Sequence, residues 1–163
     1  MSAAAALDAE IRRAAGSADL AVARAVFREY GAWLPAEWRP RNYEAEMDGL
    51  PGRYGPPSGL LLVARAAGEA AGVAAVRPLD DGACEMKRLF VRDASRRRGL
   101  GRALAVRAMS DARALGYSVF RLMTLESMTE AQALYESLGF RPIPSYAKSR
   151  RAGLLSFELD LGG

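Results

Sequence analysis

The chain has 163 residues, 50% of them hydrophobic, and a formal net charge of +4, enough for one well-buried core and too few for two independent domains. Histidine is absent and Cys84 is the single cysteine, which excludes an intrachain disulfide, a Cys/His zinc site and histidine-dependent nucleophilic triads. Apolar runs such as residues 59–64 fall far short of the roughly 18 needed to span a bilayer, and residues 1–6 lack the basic leader of a secretory signal. A single cytoplasmic domain over residues 1–163 is therefore expected, with no metal and no membrane association.

The positive charge is almost all arginine, Lys87 and Lys148 being the only lysines. Acidic residues are interspersed among the arginines and no aromatic-basic recognition motif accompanies them, so nucleic acid is not an expected partner.

Along the chain, residues 10–14 suit a short first strand. Ser17 is a candidate N-cap for a helix carrying Leu20, Ala23, Phe27, Tyr30 and Leu34 at helical spacing and stopping at Pro35. A weaker helical stripe follows at Tyr43, Met47 and Leu50, then a loop rich in proline and glycine over residues 51–59. Residues 60–66 and 70–77 form a predicted hairpin turning near Gly68, and residues 83–91 a central strand. Residues 99–115 read as a helix ended by Gly116, residues 118–125 as a strand, 129–138 as a helix ended by Gly139, and 154–161 as a last strand. This alternation of periodicities predicts an α/β or α+β domain.

The chemistry concentrates in Arg96-Arg97-Arg98-Gly99-Leu100-Gly101-Arg102, between a strand and a helix. A helix start presents unpaired N–H groups with the positive end of the dipole behind them, which attracts phosphate. Glycines at 99 and 101 allow close approach, and the arginines add guanidinium forks. A Walker loop would need Gly-Lys-Ser/Thr, and a dinucleotide fingerprint a third glycine where Leu104 stands; neither fits.

Arg96, Gly99 and Gly101 meet the pattern Gln/Arg-x-x-Gly-x-Gly/Ala, and in this respect the sequence resembles the GNAT superfamily of acyl-CoA N-acyltransferases. The preceding residues 85–91 look like that family's fourth strand, and Ala131, Leu134, Tyr135, Leu138, Gly139 and Phe140 like its late helix. The likeness covers residues 60–140. It implies a mixed, mostly antiparallel sheet of six to seven strands flanked by helices and splayed between strands 4 and 5, with acetyl-CoA as cosubstrate and a primary amine as acceptor. By the same resemblance the amides of Arg97, Arg98, Gly99, Leu100, Gly101 and Arg102 hold the pyrophosphate, and Leu89, Phe90 and Val91 bind the pantetheine and acetyl carbonyl. Tyr135 takes the place of the family's acid, and Glu85, eleven positions before Arg96, that of the base, with Glu126 in reserve. Strand alternation would put Glu85 on one face with Lys87 and Leu89.

Met128 departs from the family pattern, which often has asparagine there to position the cofactor. The early helices and strand ends that build acceptor pockets in this fold nominate Trp33, Trp38, Tyr43, Tyr54, Arg77 and Tyr146. Among these Arg77, ending a strand before Pro78, is a candidate grip for a carboxylate. Direct attack of the amine is expected, since no histidine is present to activate Cys84. The readings kept open are a small-molecule acceptor, a protein N-terminus or lysine as acceptor, and a CoA-binding module without turnover. A homodimer is frequent in the family and is neither required nor excluded.

Overall fold

The computed structural model describes residues 9–148 and 151–162; residues 1–6, read above as lacking a secretory leader, lie outside them. Strands β1 (Ala9–Arg13), β2 (Leu60–Ala66), β3 (Glu69–Pro78) and β4 (Cys84–Val91) pair antiparallel in sequence, and β5 (Val119–Leu125) joins β4 in parallel. With β7 (Leu154–Asp160) and β6 (Arg141–Ile143) the sheet runs β1-β2-β3-β4-β5-β7-β6. The expected mixed, mostly antiparallel sheet is thus present with seven strands, β6 being the one that no periodicity announced.

Both sheet faces are covered, which is why β2 and β3 are continuously apolar instead of alternating. Leu60, Leu62 and Ala64 of β2 pack with Leu100, Leu104 and Ala108 of helix α3 (Leu100–Ala114), on the face that also carries helix α4 (Thr129–Ser137). Leu61 and Val63 point the other way, into a second core with Ala23, Val26 and Phe27 of helix α1 (Gly16–Trp33) and Tyr43 and Met47 of helix α2 (Tyr43–Asp48). Each fully buried large side chain contributes roughly 1.5–3 kcal/mol. Among the described residues no helix is long and apolar enough to cross a membrane.

The entry to α1 differs from expectation. Ser17 lies inside the helix and caps nothing; the cap position is Ala15, whose N–H donates to the Asp19 carboxylate at 2.9 Å. Asp19 sits four residues before Ala23, on the buried stripe, and also accepts from Arg12 and Arg65 at 2.9 and 3.1 Å. The Ala15 amide and the Arg12 guanidinium hold its carboxyl down at about 2. A depressed carboxyl stabilises the fold above its unfolded value and loses that contribution as pH falls through the folded one. Asp19→Asn should therefore cost about 2 kcal/mol at neutral pH and remove the part of the acid-induced loss that wild type shows between about pH 4 and pH 2; urea unfolding of both proteins across that range measures it.

Candidate active site

Strands β4 and β5 are joined only at Cys84, Glu85 and Met86, opposite Phe120, Arg121 and Leu122. Beyond Met86 they diverge, leaving a cleft of about 1140 Å³ lined from both sheet faces. The divergence coincides with a bulge on the β3 side, where the register passes from Ala75 opposite Lys87 to Val73 opposite Phe90. Arg88 occupies the bulge with φ of 60°, a left-handed conformation that costs a non-glycine residue roughly 1–2 kcal/mol. Its guanidinium is held in two hydrogen bonds to Glu46 of α2, at 2.7 and 3.0 Å, and lies over the Tyr43 ring, 4.8 Å from its centroid.

The bulge also shifts the alternation of β4. Cys84, Met86, Leu89 and Val91 pack toward α3, while Glu85, Arg88 and Phe90 face α1 and α2. The expectation that Leu89 shares a face with Glu85 and Lys87 is thereby corrected: the extra residue at Arg88 inverts the phase.

On the α1/α2 side Glu85 is 1% exposed. One oxygen accepts from Arg77 Nε at 2.9 Å and the other from the Tyr146 hydroxyl at 2.6 Å. Burial, then the Glu85 charge, push the Tyr146 phenol far above its ordinary range. Arg77, nominated as a grip for an acceptor carboxylate, lines the cleft and pairs with the Glu85 carboxylate across the β3–β4 ladder, where the two residues stand opposite each other. Glu126, the reserve base, is exposed and does not line the cleft. Tyr43 and Tyr54 are core residues, whereas Trp33 and Trp38 line the cleft.

On the α3/α4 side Tyr135 packs edge-on against Phe140, ring centroids 5.7 Å apart, and reaches the cleft. Burial raises its phenol well above the ordinary range, so it keeps its proton at neutral pH. At the position of Met128, the sulfur accepts the Thr124 hydroxyl at 3.6 Å, and Gln132 ties the turn by donating to the carbonyls of Leu125 and Glu126 at 3.0 and 2.9 Å.

At the far end of β4 the arginine-glycine segment turns into α3. Gly99 has φ of 81°, a left-handed value open to glycine without strain, and Arg97 shares that region at 64°. The first intrahelical bond runs from Ala103 N–H to the Gly99 carbonyl at 3.0 Å. Among the described residues no protein acceptor takes the N–H groups of residues 97–102. A methyl added at Gly101 would meet only Val91 and Leu134, at 3.8 and 3.9 Å, so packing alone does not require glycine there. Unpaired N–H groups at a helix start attract anions. The arginines of this turn divide. Arg96 donates to the Val91 carbonyl at 2.8 Å and lies over Phe90 and Trp33, and Arg102 donates to Ser137, while Arg97 and Arg98 are exposed without an acceptor among the described residues.

Three charged residues in or beside the cleft were assigned no role from the sequence: Glu46, Arg88 and Lys87. A signal existed for the first, since Glu46 falls three residues after Tyr43 and four before Leu50, on the apolar stripe of α2. Lys87 lines the cleft and is half-buried.

Comparison with known proteins agrees with this architecture. A family model for the GNAT acetyltransferase domain matches residues 57–142. The chain is 38% identical over 123 residues to an uncharacterized N-acetyltransferase of Schizosaccharomyces pombe, covering 74% of this chain and 76% of that one. It is 34% identical over 125 residues to the uncharacterized N-acetyltransferase YjgM of Escherichia coli, covering 75% and 74%. Among solved structures, an acetyltransferase of Salmonella typhimurium with its cofactor acetyl-CoA superimposes with a TM-score of 0.75 at 24% identity over 96% of this chain and 95% of that chain, which supports the fold. The split sheet, the amide-lined turn before α3 and these relatives together show that the chain belongs to the GNAT acetyltransferase family.

Proposed function

We propose that the protein moves the acetyl group of acetyl-CoA to the primary amine of a small molecule, and that the amide-lined turn at residues 97–102 is where the cosubstrate's diphosphate binds. The observation that carries this reading is the set of N–H groups there without protein acceptors, next to a β4 edge that β5 has released. Arg97 and Arg98 add charge to the anion site. The released edge at Leu89, Phe90 and Val91 supplies backbone groups for the pantetheine arm, as an added strand would use them. Acetyl-CoA supplies an activated acyl group in the form of a thioester.

The side chains divide the proton work. Glu85 accepts the proton that the acceptor amine sheds as the new amide bond forms. It is the buried carboxylate of the cleft, whereas Asp80 and Glu130 are exposed. Arg77 and Tyr146 each donate to one of its oxygens and fix its orientation. Tyr135 holds the proton that the departing thiolate takes up. The burial of Glu85 within the cleft supports a small acceptor over a protein surface.

Isothermal titration with acetyl-CoA, followed by thiol release over a panel of amines, tests the activity; binding without release from any amine would make the protein a cosubstrate-binding module. Gly101→Asp places a carboxylate in the first turn of α3, which favours the helix but repels a diphosphate. Acetyl-CoA affinity should fall roughly tenfold or more while the thermal midpoint stays unchanged or rises, and an unchanged affinity would remove the turn from the binding site. Tyr135→Phe should lower kcat by roughly 100-fold with little change in acetyl-CoA affinity, because only the proton donor is lost; single-turnover thiol release measures it.

A further inference from the structure

The wall of the cleft facing α1 and α2 carries an unmatched charge. Arg77 is paired with Glu85 and Arg88 with Glu46. Lys87 stands between these two pairs on β4, half-buried, lining the cleft, and with no hydrogen-bond or ion-pair partner among the described residues. The groups acting on it from the surrounding elements are Arg77 of β3, Glu85 and Arg88 of β4, and Glu46 of α2. The two carboxylates already accept from the two guanidiniums, so Lys87 is left without a counter-ion among the described residues.

From this arrangement we infer that the acceptor carries a carboxylate beside its amine, and that Lys87 is the residue that binds it. The inference rests on the acetyltransferase reading of the same cleft and narrows its substrate to amino acids and their close analogues. A half-buried ammonium without a counter-ion is costly, and a ligand anion removes that cost. Burial, then the Arg77 charge, push Lys87 down to about 8, so a bound carboxylate should raise it. Glu85 lies two residues back along the same strand, both before the bulge that inverts the pleat, and so shares the face of Lys87. A carboxylate on Lys87 therefore leaves the neighbouring amine within the region where Glu85 accepts a proton. Trp33 and Phe90, ring centroids 5.8 Å apart, provide an apolar wall for the remainder of the molecule.

The test pairs each common L-amino acid with its own carboxamide, which keeps the amine and side chain and removes the charge. For wild type, kcat/KM should favour the carboxylate member by about 10-fold to 100-fold, the span of a hydrogen bond to a charged group. Lys87→Met should abolish that preference while leaving turnover of the carboxamide and acetyl-CoA affinity intact, and Lys87→Arg should retain most of it. Equal use of both members by wild type, or a preference that survives Lys87→Met, would overturn the inference while leaving the acetyltransferase reading in place. Failure of every amine to release thiol would count against that reading instead. A turnover-free measurement then decides the inference: with lysine labelled at Cε, only Lys87 and Lys148 give signals. Titration in the presence of the amino acids should raise the Lys87 midpoint and leave Lys148 unmoved. A Lys87 midpoint that no amino acid shifts would overturn the proposal.

Discussion

The ion pair between Arg88 and Glu46 is the interaction on which the site depends. Two hydrogen bonds and the Tyr43 ring hold Arg88 in a left-handed conformation that its side chain would otherwise avoid. Burial opposes ionisation of Glu46, but the Arg88 guanidinium outweighs it and holds the carboxyl below its ordinary value. That bond fixes the bulge and reverses the pleat of β4 just where β5 turns away. A flat, fully paired β4 would use the backbone groups of residues 87–91 in ladder bonds, and no cleft would exist. Helix α2 is short and the sequence marks it only weakly, yet it supplies the carboxylate that keeps the strand open.

The division of labour between the two sheet faces follows from the same inversion. Before the bulge, Cys84 and Met86 face the α3 core; after it, Leu89 and Val91 do, with Arg88 interposed on the opposite side. The two groups proposed for proton transfer lie on opposite sides of the sheet, Glu85 toward α1 and α2 and Tyr135 on α4, with the released strand edge between them.

Much of this was legible in the residues because it rests on local rules. Gly99 at the start of α3, the apolar stripe of α1 and the buried strands β2 and β3 each follow from a backbone requirement or a periodicity. What remained hidden depends on partners distant in the chain. The partner of Arg77 could not be named because Glu85 becomes its neighbour only through the β3–β4 ladder. Ser17 looked like a cap because the competing acceptor, Asp19, is drawn to the same helix start by Arg12 and Arg65. Strand β6 has three residues, too few to show a period.

The slot between β4 and β5 has a kinetic corollary. Because residues of both sheet faces line it, a long thiol ester can lie along one side while a short amine enters from the other, and neither blocks the other's door. On the proposed activity both reactants would then reside together before anything departs. Initial-velocity plots against one reactant at several fixed levels of the other would form a family of intersecting lines, unlike the parallel lines of an enzyme that parks the acyl group on itself.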